Sequence, residues 1–339
     1  MIDLRSDTVT KPTAPMIEAM MTATVGDDVF DEDPTVLALQ EKIAAIFGME
    51  AALYCPSGTM TNQIAIRVNT QPQDEVICDQ KSHIYLYEGG GIASNSLISV
   101  KLLAGERGIL TPDLIGEAIN PDDIHFPHSS LVSLENTMNK GGGCYYTLEQ
   151  IAAISEVCQQ HQLKLHLDGA RVFNALTETG ENPVAYGKYF DTISVCFSKG
   201  LGAPVGSALL GSTAAIKQAK RVRKAFGGGM RQAGYLAAAC IYALDHHRDR
   251  LKEDHDKAVR LGQVLGELPM ADEVMPVETN IVIVRLREGF TPDGVLNKLK
   301  DHGILGVPFG KKDIRFVTHL DYTDEQLNQS IDILTAMSW

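Results

Sequence analysis

Leu163-Lys-Leu-His-Leu-Asp168-Gly-Ala-Arg171 and Asp191-Thr-Ile-Ser-Val-Cys-Phe-Ser-Lys199-Gly-Leu-Gly202 decide the fold. Each is an apolar run of strand length that ends in charge and glycine, the pattern of a strand buried on both faces. Working outward, the helical stripe Leu148, Ile151, Ile154, Val157 and Cys158 precedes the first run. Further strand-like runs lie at 51–55, 75–79, 97–103, 130–135 and 207–211. Asp33-Pro34 opens a helix with a cap and a first-turn proline. Val36, Leu37, Leu39, Ile43, Ile46 and Phe47 give that helix an apolar face, and Gly48 closes it. Alternation of this kind predicts an α/β domain with a mostly parallel sheet covered by helices. From about residue 245 the texture changes to a charged helix (Asp249 to Leu268), a strand (Thr279 to Leu286), a helix (Pro292 to His302), a strand (Ile314 to Leu320) and a terminal helix. Thr323 and Gln326 suggest a capping box for that last helix. The expected division is a large domain over residues 1–244 and a smaller C-terminal α+β domain over 245–339, with Tyr235 to Leu244 as helical connector. No repeat or flexible linker interrupts the chain, so a cleft between the two parts is the expected ligand site.

The composition narrows the classes of function. In 339 residues, 44% are hydrophobic and 22% charged, the ordinary balance of a folded globule. Thirty Lys and Arg against 43 Asp and Glu give a net charge of −13, which opposes a nucleic-acid partner. Asp3, Arg5 and Asp7 interrupt the start where a signal peptide needs an apolar run, and the apolar stretch Leu236 to Leu244 is too short for a membrane span. A cytoplasmic protein without a membrane partner is expected. The six cysteines form no CxxC pair and sit in apolar runs, which reads as buried reduced thiols. No HxxxH or HExxH occurs, so no metal is expected.

Lys199 ends a buried strand and is followed by glycines. An ammonium there is costly to desolvate, and the neutral amine attacks carbonyls, so Lys199 is either a Schiff-base lysine or a lysine in a surface turn. Asp168 ends the preceding strand, where a carboxylate suits the pyridine nitrogen of pyridoxal phosphate; an ordinary ion pair with Arg171 is the alternative. Ser57, Gly58 and Thr59, between a strand and a helix-like run, offer amides and hydroxyls to a phosphate, or merely cap the helix. His83 follows a strand, as a ring that stacks on a cofactor or handles a proton, and His125 and His128 precede another. Lys220, Arg221, Arg223, Lys224 and Arg231 form a local basic cluster suited to an anion or to solvent. Arg315 opens a strand of the smaller domain from which it can hold a carboxylate.

Together these segments resemble the low-specificity L-threonine aldolases, pyridoxal-phosphate (PLP) enzymes of the aspartate aminotransferase superfamily with PLP fold type I. The motifs run in order along the whole chain: Asp3-Leu-Arg-Ser6-Asp7-Thr-Val-Thr10, Val25-Gly-Asp-Asp-Val, Pro56-Ser-Gly-Thr, His166-Leu-Asp-Gly-Ala-Arg171, Ser198-Lys-Gly-Leu-Gly, Pro204-Val-Gly-Ser, Gly227-Gly-Gly-Met-Arg231-Gln and Arg315-Phe-Val-Thr-His319.

The resemblance implies that Lys199 carries the cofactor, Asp168 pairs with its ring nitrogen, and His83 stacks on the ring. Ser57, Gly58 and Thr59 would bind its phosphate, with Lys224 and Arg231 reaching it from a neighbouring subunit of a homotetramer whose sites are shared. Ser6, Arg171 and Arg315 would hold the carboxylate of the small amino-acid substrate. His125, ahead of His83, is the expected contact for its β-hydroxyl. The implied reaction is cleavage of L-threonine or L-allo-threonine to glycine and acetaldehyde. The rival is β-elimination of the tyrosine phenol-lyase type. Phe30 and Met138 stand where the family commonly has tyrosine and histidine, which bears on how the β-substituent is read.

Overall fold

The apolar runs pair side by side. In the computed structural model, which describes residues 1–339, seven strands form one sheet in the order Ala51–Cys55, Ser207–Gly211, Thr192–Cys196, Lys164–Gly169, Ser129–Glu135, Glu75–Asp79, Ser99–Leu103. All are mutually parallel except Ser207–Gly211, which runs antiparallel to both neighbours. The five-residue strand Thr192–Cys196 is buried throughout, as a strand covered by helices on both faces must be. The α/β expectation holds, and the strand at 97–103 begins two residues late, at Ser99.

Helix Pro34–Phe47 starts and stops as its sequence directs. Asp33 accepts from the Thr35 and Val36 amides, and Gly48, at φ 62°, closes the helix in the left-handed conformation. Its buried face packs with Tyr54, Leu167, Phe197 and the connector helix Gly234–His246 in one apolar cluster. The connector is thus part of the large core. Thr147 and Gln150 make a reciprocal capping box for helix Leu148–Gln160. At the last helix only half of the expected box forms: Thr323 accepts from the Gln326 amide, with no reciprocal bond from the Gln326 side chain.

A second apolar cluster surrounds a four-stranded antiparallel sheet ordered Val307–Pro308, Asp313–Val317, Ile281–Leu286, Ala271–Val274. The first residues of the chain join it: Ile2–Asp3 pairs parallel with Ile304–Leu305, and Ile2 and Leu4 are buried in that cluster. From there the chain crosses to the large sheet, carrying Ser6 and Asp7 into the cleft. All six cysteines are buried and unpaired. No helix is long and apolar enough to cross a membrane.

Candidate active site

Three parallel strands end at one edge of the large sheet, and their registers set the site. Glu135 stands opposite Asp168, and Asp168 opposite Ser194, so Lys199 follows on the loop beyond the same edge. This is the edge at which open α/β sheets bind ligands. Helix Gly58–Asn69 starts there too. Ser57 caps it by accepting from the Met60 amide at 3.2 Å, and a helix N-terminus of this kind suits an anion. A Cβ on Gly58 would come 2.5 Å from Cys196 Sγ, so only glycine allows this approach of helix to strand.

Two cavities meet at His83 and Lys199. The smaller, 130 Å³, is lined by Ser57, Gly58, Thr59, Asp168 and these two residues. The larger, 340 Å³, adds Ser6 from the N-terminal arm, Glu135 and Arg315 from the two sheets, and Tyr87 and Arg171 from helix ends.

Charge is arranged in layers. Asp168 accepts from Asn62 Nδ2 at 2.9 Å and from the Ala170 amide at 3.2 Å. Asn62 is oriented from behind by His166, whose Nε2 lies 3.2 Å from Asn62 Oδ1. Burial pushes the pKa of His166 down to about 4, so the ring is neutral near pH 7. Glu135 is also buried; desolvation and the nearby Asp168 charge raise its pKa to about 7, against the His83 and Asn139 amides that bond to it.

Arg171 and Arg315 differ in what holds them. Arg171 forms a buried fork with Asp7, Nε to Oδ2 at 2.7 Å and Nη2 to Oδ1 at 2.8 Å, and Asn280 donates to the same carboxylate. Arg315 has no carboxylate partner. It donates to Asn139 Oδ1 and to the Arg5 carbonyl, while its buried Nε bonds to nothing. Burial and the Arg171 charge pull its pKa down to about 10. Two cations beside a 340 Å³ cavity, one lacking a counter-charge, suit a small carboxylate.

Nine expected residues converge on the cavities: Ser6, Ser57, Gly58, Thr59, His83, Asp168, Arg171, Lys199 and Arg315. His125 does not join them within the chain. Its side chain is 79% exposed on a loop and bonded to Asp123 at 2.7 Å. His128 is likewise exposed, near Asp74. Lys224 is exposed, and Arg231 pairs with Asp27 at 3.0 Å, with neither lining these two cavities. Phe30 is exposed beside Arg231, and Met138 is buried against Gly108 and Gly141, outside both cavities. Asp7, Asn62, Glu88 and Glu135 were not singled out from the sequence. Asp7 carries a signal in its place between Ser6 and Thr8 in the N-terminal motif, and Glu135 in its place at the end of the strand-like run 130–135.

Comparison with known proteins agrees along the whole chain. A family described as beta-eliminating lyase matches residues 3–289. The low specificity L-threonine aldolase of Escherichia coli strain K12 is 44% identical over 329 residues, 96% of each chain. Low-specificity L-threonine aldolase 1 of Arabidopsis thaliana is 40% identical over 337 residues, covering 97% of this chain and 94% of its own. The solved threonine aldolase of Leishmania major superposes with a TM-score of 0.85 at 21% identity, over 99% of both chains, which establishes the fold. The chain therefore belongs to the beta-eliminating lyase family and, within it, to the low-specificity L-threonine aldolases.

Proposed function

We propose that the protein is a PLP-dependent lyase that cleaves L-threonine, L-allo-threonine and related β-hydroxy-α-amino acids into glycine and an aldehyde. The observation that carries this reading is the convergence of Lys199, Asp168 and the N-terminus of helix Gly58–Asn69 on one cavity, next to a second lined by Arg171 and Arg315. The donor set fits the cofactor: an amine, a carboxylate and a phosphate-type helix N-terminus surround a single pocket.

Lys199 would carry the cofactor, Asp168 would face its ring nitrogen, His83 its ring face, and Ser57, Gly58 and Thr59 its phosphate. When bound, the cofactor supplies an electron sink for the carbon–carbon bond pair. The protein does the rest. Arg315 and the free edge of Arg171, with Ser6, orient the substrate carboxylate, which fixes the bond that breaks. An imidazole takes the proton from the β-hydroxyl. His125, Lys224 and Arg231 lie on exposed surfaces of the chain, and we assign them to a neighbouring copy's cleft in a homotetramer. We place the protein in the cytoplasm and divide it near residues 244 and 245.

Borohydride reduction of the holoenzyme followed by peptide mass mapping tests this reading. The expected result is a cofactor adduct on Lys199, with Lys199→Ala folded and without turnover. Substantial cleavage by that variant would refute it.

A further inference from the structure

Glu88 is buried beside the site and is not used by the reaction scheme above. Its side chain has no exposed surface. Three donors converge on it: Asn62 Nδ2 reaches Oε1 at 2.9 Å, Gln63 Nε2 reaches Oε2 at 2.6 Å, and His83 Nδ1 lies 3.1 Å from Oε1. The two amides come from consecutive residues of helix Gly58–Asn69, so the carboxylate is fixed by the same element that presents the anion-binding N-terminus. Gly91 lies beside it; a Cβ there would come 2.5 Å from Gln63 Oε1, which keeps this packing tight.

An ionised carboxylate only accepts hydrogen bonds. With two amide N–H groups already directed at it, the contact with His83 is met by a proton on Nδ1. The neutral imidazole then has its lone pair on Nε2, which makes no hydrogen bond in the chain, on a ring that borders both cavities. Carboxylate and imidazole in this arrangement set the tautomer and stabilise the imidazolium that forms when the ring takes a proton.

We propose that Glu88 is a positioning residue that holds His83 as the Nδ1–H tautomer, so that Nε2 is the base that faces the substrate's β-hydroxyl. This deepens the proposed function and rests on it. In the step, the hydroxyl O–H bond breaks as an Nε2–H bond forms, and the oxygen electrons close the aldehyde carbonyl. The pair from the broken Cα–Cβ bond stays with the glycine fragment, where the cofactor, when bound, would supply the electron sink. Protonation at Cα then balances the proton taken up by the imidazole.

The charges around His83 set the sign of its pH dependence. Burial favours the neutral ring, while the Glu88 hydrogen bond and the Asp168 and Glu88 charges outweigh it; Lys199 opposes them, and the net pKa lies above the ordinary histidine value. Glu135 accepts from the His83 backbone amide, the Tyr87 ring lies 5.5 Å from the imidazole, and Lys140 Nζ lies 5.8 Å from the Tyr87 ring. Cleavage should therefore rise with pH as His83 loses its proton. Glu88→Gln removes a neighbouring negative charge, so the rising limb moves to lower pH while the plateau falls by ~10²- to 10⁴-fold, the range for a positioned base. Loss of structure alone lowers the plateau without that downward shift.

The direct test is magic-angle-spinning nitrogen NMR of the histidine-labelled holoenzyme at a pH where His83 is neutral, its signal assigned by its loss in His83→Gln. The expected result is a proton on Nδ1 in the wild type, and in Glu88→Gln a shift of that proton toward Nε2 together with the displaced pH limb. A wild-type proton on Nε2, or a Glu88→Gln enzyme with unchanged tautomer and unchanged limb, overturns the proposal. Should Glu88→Gln fail to fold, the wild-type tautomer decides. Because that measurement needs no substrate, failure of the wild type to cleave threonine would refute the proposed reaction while leaving the tautomer answer separate.

Discussion

Arg315 shows how one residue can be legible in kind and not in detail. The sequence reads it as opening a strand of the smaller domain and so as a cleft arginine; the strand instead starts at Asp313 with Arg315 at its centre, and nothing in the sequence tells that its Nε is buried without a partner. That unmet donor is what a substrate carboxylate would satisfy. Arg315→Ala should weaken amino-acid binding by about 1.5–3 kcal/mol, the usual worth of a hydrogen bond to a charged group, and should lower kcat as well, because the proposed clamp would align the breaking bond. Steady-state kinetics check this, and unchanged constants would remove Arg315 from the clamp. Arg171, Lys199 and Asp168 were readable because each ends or follows an apolar strand in the sequence. Glu135 ends the run at 130–135 and carries the same signal. Asn62 and Glu88 carry none, because their roles come from partners far along the chain, as in the bond from Asn62 to Asp168, and a polar residue in a helix or turn pattern reads as solvent-facing until the fold covers it.

At the scale of elements, His166 links three of them. It sits in strand Lys164–Gly169, contacts Thr192 at the start of the next strand, and reaches Asn62 in helix Gly58–Asn69. The strands themselves were legible because fully buried strands write continuous apolar runs. The parallel pair Ile2–Asp3 with Ile304–Leu305 was not, since two residues carry no period. His166 also gives a pH prediction. Its folded pKa is pushed down to about 4 by burial, against about 6.5 when unfolded. The stability it confers is complete above pH 6.5 and is lost as the pH falls toward 4, because the unfolded chain takes up the proton first. His166→Gln should be less stable than wild type at pH 7, and the gap should shrink by on the order of 3 kcal/mol by pH 4. Urea denaturation of both proteins across that range measures it, and a constant gap would mean His166 is not held neutral.

At the scale of the whole molecule, the loop that carries His125 displays apolar side chains to solvent. Ile124 is 99% exposed and Phe126 50%, beside an imidazole expected near a substrate that the chain's own cavities do not reach. Apolar side chains so displayed favour contact with another copy. If His125 reads the β-hydroxyl in a neighbouring cleft, His125→Ala should affect L-threonine and L-allo-threonine unequally, since their hydroxyls point to different sides of the breaking bond. Equal losses for the two would remove that role. The reaction itself turns on which bond breaks, because the same amine, carboxylate and arginines would also serve β-elimination. The most direct measurement is product analysis of L-threonine incubated with the PLP-loaded protein. Glycine and acetaldehyde in equal amounts are the predicted result; 2-oxobutanoate and ammonia would contradict it.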